Sequence, residues 1–185
     1  MAGALVDRID LPLHAATAVV SIAAMKVAVI SDTHTEGMTR AVPSTAWPYL
    51  QTADHILHGG DVVDPSLLDE MKSLAPVSVV MGNCDAMDVR DWGAADDVIL
   101  ELGGIKIGMV HDAGVTAGRR ERMRRLFPGV RVVVFGHSHM PVNEDDGELL
   151  LFNPGSPTWK RKAPFPSMGL LWIENGNVEG EIFPV

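Results

Sequence analysis

The chain holds one cysteine, one tyrosine and few aromatic residues, 5% in all. Cys84 alone cannot close an intrachain disulfide. That fits a reducing compartment such as the cytoplasm and excludes a disulfide-stapled secreted scaffold. No uninterrupted apolar run reaches the ~18–20 residues that a spanning helix needs. Positive charge is scarce: 15 Lys and Arg face 24 Asp and Glu, for a net charge of −9. Such a chain is a poor partner for nucleic acid or an anionic membrane, bound cations aside. Solenoid-type repeats and low-complexity linkers are also missing.

What is present suits one folded domain. Apolar residues make up 46% of 185 positions, enough for one sizeable core. The 21% of charged residues, 18 Gly and 12 Pro are ordinary for a globular chain. Residues 1–24 stand apart. Asp7 and Asp10 outweigh Arg8, the wrong balance for the positive start of a secretory signal. They read as a leader outside the catalytic fold, with residues 25–185 forming the domain.

From Met25 onward, short β-branched runs alternate with helical or polar stretches. Strands are predicted at Lys26–Ile30, Thr52–His58, Val77–Met81, Val98–Leu102, Ile105–Val110, Val130–Phe135, Leu149–Phe152, Met168–Ile173 and Val178–Phe183. Gly103-Gly104 and Asn175-Gly176 read as hairpin turns. Asp64-Pro65 should open a helix, Asp64 as its N-cap, with Leu67, Leu68, Met71, Leu74 and Ala75 on one face. Thr116–Phe127 reads as a basic helix. Such a pattern implies an α/β protein, with two packed sheets and helices outside.

Polar residues follow the strands in a regular way. VAVIS precedes Asp32-Thr33-His34, HILHGG precedes Asp61, VSVVMG precedes Asn83, IGMV precedes His111, and VVVFG precedes His137-Ser138-His139. Ligands gather outside the carboxyl ends of strands in α/β sheets. Two carboxylates, one amide and four imidazoles make a mixed O/N donor set without thiolate. It suits manganese, iron, zinc, cobalt or nickel, and is too rich in nitrogen for calcium or magnesium. Seven donors exceed what one tetrahedral ion takes and suit two ions sharing a carboxylate.

Asp32-Thr33-His34, Gly60-Asp61, Gly82-Asn83, His111 and Gly136-His137-Ser138-His139, in that order, resemble the calcineurin-like metallophosphoesterase superfamily. Gly82-Asn83-Cys84-Asp85, Asn153-Pro154-Gly155-Ser156 and the small size resemble its single-domain YfcE-like branch. The resemblance implies a four-layer α/β/β/α sandwich of two mixed sheets flanked by helices. It implies a phosphodiesterase with two divalent transition-metal ions, manganese first. Asp32, His34 and His139 would hold one ion, Asn83, His111 and His137 the other, and Asp61 would bridge them. Attack on a small phosphodiester would come from a metal-bound hydroxide. The Asp-x-His and His-x-His spacings would place both side chains on one side of an extended segment.

Many relatives follow Gly-Asn with a histidine that protonates the leaving group. Cys84 stands there and reads as a packed thiol. Asn83 and Asp85 are the candidate catalytic residues. Asp85 is the candidate acid, an orienter of a ligand histidine, or the N-cap of a helix over 86–91. Asp112 could support a ligand, and His58 reads as a satisfied core histidine. Arg119, Arg120, Arg122, Arg124 and Arg125 wrap around a helix and read as a solvated face. Lys160, Arg161 and Lys162 could border the site. The scattered Trp47, Trp92, Trp159 and Trp172 read as packing. The expected partner is a small phosphate ester, with no stable nucleic acid and no membrane, and a homo-oligomer is left open. The competing readings are an interaction scaffold resembling a retromer subunit, and a nuclease for longer nucleic acid.

Overall fold

A computed structural model describes residues 24–36 and 40–185. The leader expected over residues 1–24 lies outside the described residues but for Ala24. Among the described residues, ten strands form two five-stranded mixed sheets. The first contains β1 (Met25–Ile30), β2 (His55–His58), β3 (Val77–Val79), β9 (Ser167–Glu174) and β10 (Asn177–Pro184), ordered β10-β9-β1-β2-β3. The second contains β4 (Asp97–Leu102), β5 (Ile105–Val110), β6 (Val132–Val134), β7 (Val142–Asp145) and β8 (Leu150–Asn153), ordered β4-β5-β6-β8-β7.

Side-chain alternation builds the layers. Val27 and Val29 of β1 point between the sheets, where they meet Ile107 and Met109 of β5 and Val132 and Val134 of β6. Ala28 and Ile30, one residue out of step, face Leu67, Leu68 and Met71 of α2 (Ser66–Lys72). Val133 turns away from the inter-sheet core towards Met123 of α4 (Arg119–Leu126). The period-2 alternation of strands thus produces three apolar cores and the four α/β/β/α layers.

Two short helices complete the first outer layer, α1 (Trp47–Gln51) and α3 (Met87–Trp92). Hairpin turns fall where expected. Gly103 and Gly104 have φ of 55° and 80°, and Asn175 and Gly176 have φ of 50° and 78°, the double left-handed pair that a tight hairpin requires.

Some boundaries differ. The strand expected from Thr52 begins at His55, and the helix expected from Thr116 begins at Arg119. Pro65, not Asp64, is the N-cap of α2, although Asp64 Oδ1 still accepts the Ser66 amide at 2.9 Å. β7 and α1 were not expected.

What matters for function is direction. β1, β2 and β3 run parallel to one another, and so do β5 and β6. Their carboxyl ends carry all five polar motifs.

Candidate metal centre

The seven expected ligands converge at those strand ends. Asp32, His34 and His139 form one cluster: His34 Nε2 lies 3.2 Å from His139 Nε2, which lies 3.3 Å from Asp32 Oδ1. Asn83 Oδ1 stands 3.2 Å from His111 Nε2 and 2.8 Å from His137 Nδ1, forming the other. Asp61 Oδ2 sits between them, 3.5 Å from His34 Nε2 and 3.4 Å from His111 Nε2. This oxygen is buried and has no hydrogen-bond partner.

The backbone there is unusual. Asp32, His34, Asp61, His137 and His139 all have left-handed φ, between 42° and 66°. Each such residue costs roughly 1–2 kcal/mol relative to ordinary backbone. Strain of this kind persists where surroundings over-determine it, and it collects at functional sites. The extended geometry expected of Asp-x-His and His-x-His is therefore replaced by left-handed residues. Left-handed turns at both ligands of each motif aim the paired side chains.

Neighbouring groups enforce the turns. Ser31 Oγ donates to Asp32 Oδ2 at 2.7 Å and the His137 amide to Asp32 Oδ1 at 3.0 Å. Ser156 Oγ donates to the Asp32 carbonyl at 2.7 Å and Thr158 Oγ1 to the Thr33 carbonyl at 2.6 Å. The Asn-Pro-Gly-Ser motif thus props the first ligand loop, a role the sequence did not reveal. Asn153 Nδ2 adds a bond to the Gly136 carbonyl. Glycine is required where loops meet. A Cβ on Gly82 would lie 2.1 Å from Asp61 Oδ1, and one on Gly136 would lie 2.5 Å from Asp32 Oδ2.

Two imidazoles have tautomers set by carbonyls. His111 Nδ1 donates to the Gly59 carbonyl at 2.7 Å, and His139 Nδ1 to that of Trp159. Their neutral forms then aim bare Nε2 lone pairs at carboxylate and amide oxygens. With both rings neutral, the facing lone pairs offer a cation a ready set of donors.

Burial and neighbouring charges shift the ionisable groups of the cluster in opposite directions. Burial pushes the Asp32 carboxyl up to about 7, against the pull of His111 and Ser31. Burial acts in the same sense on Asp61. The His111 ring, the Cys84 amide and the charge of His34 outweigh it and leave that carboxyl well below the usual range. Burial lowers His34, and lowers His139 to about 4. For His111 burial is outweighed by Asp61 and Asp32, and the pKa rises. Among the described residues, neither Asp32 nor Asp61 pairs with Lys or Arg.

Other expectations need correction. Cys84 is exposed, not packed in a core. Its amide donates to Asp61 Oδ1 at 2.7 Å. Asp85 does not cap α3, whose N-cap is Ala86. Its Oδ2 accepts the amides of Asp61 at 2.9 Å and Gly82 at 2.8 Å, and its Oδ1 accepts that of Val63 at 2.8 Å. Trp159 does not pack in a core. It is 42% exposed, and its ring meets the rings of His34 and His139 edge-on.

The bland expectations fare better. His58 is buried, with Nδ1 accepting the Gly60 amide at 3.2 Å and Nε2 lying 3.0 Å from Thr33 Oγ1. Asp112 Oδ2 is 3.9 Å from His137 Nε2. The α4 arginines depart from a solvated face, since Arg119, Arg120 and Arg122 are half-buried: Arg122 holds the carbonyls of Ala113, Val115 and Ala117, and Arg124 meets Asp146 and Glu148.

The model of the calcineurin-like phosphoesterase superfamily domain matches residues 25–176. The chain belongs to that superfamily. It is a phosphoric ester hydrolase of the small single-domain branch. A probable metallophosphoesterase of Methanocaldococcus jannaschii is 37% identical over 164 residues, covering 87% of this chain and 82% of its own. A phosphodiesterase of the same organism is 26% identical over 144 residues, covering 71% of this chain and 83% of its own. The solved structure of Vps29 complexed with zinc from Entamoeba histolytica aligns with a TM-score of 0.66 at 26% identity. That alignment covers 86% of this chain and 98% of the other. In superfamily terms, the candidate ligand groups of this chain lie at the strand ends described above. No helix among the described residues is long and apolar enough to cross a membrane.

Proposed function

We propose that the chain hydrolyses small phosphodiesters at a centre of two divalent transition-metal ions. Asp32, His34 and His139 would hold one ion, Asn83, His111 and His137 the other, with Asp61 shared between them. The observation that carries this reading is the buried, unpartnered Asp61 Oδ2, placed between two histidine Nε2 atoms at 3.5 and 3.4 Å. A buried polar atom without a partner is rare, and one flanked by imidazoles on two sides fits a shared cation ligand. Manganese leads the candidates because the donors mix oxygen and nitrogen without thiolate, and iron, cobalt, nickel and zinc remain consistent with that set. Two such ions would lower the pKa of a bound water from 15.7 to roughly 7 and offset charge on the phosphoryl group.

The chain's own residues do the rest. Gly59 and Trp159 carbonyls fix which imidazole nitrogens face inward. At His139 the left-handed backbone adds to this hold, so little reorganisation is left in the buried half for binding. Asp85 acts as a positioning residue, since its carboxylate holds the Asp61, Gly82 and Val63 amides. A groove of about 440 Å³ beside His137, reaching Asp112 and Arg119, gives a small ester room. Likeness to the Methanocaldococcus jannaschii phosphodiesterase supports a diester substrate. A cytoplasmic site of action fits the single cysteine.

The test is metal content and turnover of an aryl phosphodiester before and after chelation. Activity should vanish with the metal and return with manganese. Undiminished turnover by fully stripped protein would overturn the reading. A metal-loaded protein without turnover would favour the alternative reading of an interaction scaffold. Residues 25–185 should suffice, so a chain starting at Met25 should keep its turnover.

A further inference from the structure

The loop after Ser156 carries a feature that hydrolysis of a simple diester does not use. Arg161 lies over the Trp159 ring, its guanidinium carbon 4.6 Å from the centroid, and Arg40 lies over the same ring at 4.8 Å. Stacking on an aromatic face orients a guanidinium while leaving its N–H fork free for an anion. Arg161 also donates one bond to the His137 carbonyl at 3.1 Å, which ties it to a ligand loop. Its backbone is left-handed, with φ of 47°.

The platform is built rather than floppy. The Trp159 amide donates to Ser156 Oγ at 2.9 Å, and Thr158 Oγ1 bonds the Thr33 carbonyl. The Trp159 carbonyl holds His139, and its ring edges against His34 and His139. Lys160 is turned back to the Ala163 carbonyl at 2.9 Å, so it does not share this role. The charge of Arg161 is felt at His34, His139 and Cys84, and that of Arg40 at His34.

Other arginines are spent differently. Arg90, Arg120, Arg124 and Arg131 each pair with a carboxylate, whereas Arg161 has no such partner among the described residues. In a chain of net charge −9, two guanidinium groups gathered on one tryptophan at the rim of the centre are a local exception.

We infer that Arg161 and Arg40, stacked on Trp159, form a subsite for a second phosphate on the substrate. The preferred substrate class is then a phosphodiester that carries a further phosphate group on one arm. This rests on the hydrolase reading above and narrows it. The scissile group sits at the ions, and the second phosphate lies in the guanidinium fork. Guanidinium–phosphate bonds are the charge-assisted, planar kind that such a fork is shaped for.

Calorimetry of the manganese-loaded protein, metal in excess, separates the two readings without turnover. Short alkanediol bisphosphates are compared with alkyl monophosphates of the same chain lengths. At the best length the bisphosphate should bind about tenfold tighter, well beyond its twofold statistical gain, as expected for one charge-assisted contact. Arg161→Gln should remove most of that advantage, Arg40→Gln should reduce it, and Arg161→Lys should restore part. Equal binding of both ligands by the wild type would overturn the proposal. So would an advantage that survives both Gln variants. An Arg161→Gln variant that weakens both ligands by one factor would also overturn it, since Arg161 would then serve the scissile group. Should the advantage stand while no diester is hydrolysed, the diester reading falls and the subsite does not.

Discussion

The two halves of the candidate centre are built differently. Asp32, His34, Asp61 and His139 are buried, each with at most 7% of its surface exposed. Three of them are fixed by neighbours: Asp32 by Ser31 and the His137 amide, His139 by Trp159, Asp61 by Cys84. On the other side Asn83 is exposed and the His137 side chain is 45% exposed. Only His111 is buried there, held by Gly59. Asn83 is steadied by a 3.3 Å contact with the Cys84 sulfur, a weak acceptor. The difference teaches that one half is organised before binding and the other is finished by its ion and substrate. The open half is also where the grooves lie.

The largest effect should come from the residue common to both halves. Asp61→Asn keeps the side-chain shape and an oxygen for the Cys84 amide, but removes the shared charge. Turnover should fall roughly 10³-fold, the scale of losing one group that stabilises transition-state charge. Metal content should fall towards one ion or none. A variant holding two ions with near-normal turnover would end the idea that the halves share a ligand.

The comparison also predicts an order of metal loss. Titration with a chelator should empty the open half first and the buried half later, in two resolved phases. Asn83→Ala should shift only the first phase, and high manganese should recover its activity. His139→Ala should collapse the second phase and resist such recovery, because it also frees the Trp159 carbonyl and leaves a buried void. One shared phase for both variants would show the halves to be equivalent.

Much of this was legible in the sequence, and the limits have physical causes. The buried strands announced themselves through β-branched runs such as Val132–Val134, and all seven donors stood directly after such runs. β7 did not, because Val142–Asp145 is an edge strand with three exposed polar residues and carries no apolar alternation. The left-handed backbone at five ligands leaves no mark in composition, since Asp and His tolerate that conformation without demanding it. Trp159 was unreadable for a different reason. Its position depends on Ser156 and on contacts with Asp32 and Thr33, more than a hundred residues away in sequence. Cys84 looked like a core thiol because small apolar residues usually are one. Its loop, pinned by Asp85, instead holds it at the surface.

Asp85 gives a middling effect that sharpens the contrast. Its carboxylate serves three amides on the loops bearing Asp61 and Asn83. Asp85→Asn puts an NH₂ against one or more of those N–H groups. Stability should drop by about 1–3 kcal/mol, the cost of leaving a buried donor unsatisfied. Turnover should drop ~10–100-fold, as for other groups that orient metal ligands. The discriminating measurement is the dependence of kcat/KM on leaving-group pKa. A positioning residue lowers every substrate alike, whereas loss of an acid steepens the slope. A steeper slope in Asp85→Asn would restore Asp85 as the leaving-group acid.

The smallest effect concerns Cys84, at the edge of the open half. Its backbone amide serves Asp61, while its sulfur only accepts the weak bond from Asn83. Partial desolvation, together with the nearby Asp61 and Asp85 carboxylates, pushes the thiol pKa up, so the group stays protonated and gives up its proton reluctantly. General acid help typically contributes ~10²–10⁴-fold, most for an alkoxide that leaves poorly. Without it, aryl phosphodiesters should turn over far faster than alkyl ones, and a plot against leaving-group pKa should be steep. Cys84→Ser should alter aryl turnover by no more than about threefold, since a serine hydroxyl is no better an acid at neutral pH. Cys84→His should flatten the plot by raising alkyl turnover selectively, because an imidazole can protonate the departing oxygen near pH 7. A wild-type slope near zero, with chemistry shown to be rate-limiting, would mean that an acid already acts there. The open half would then be more finished than its exposure suggests.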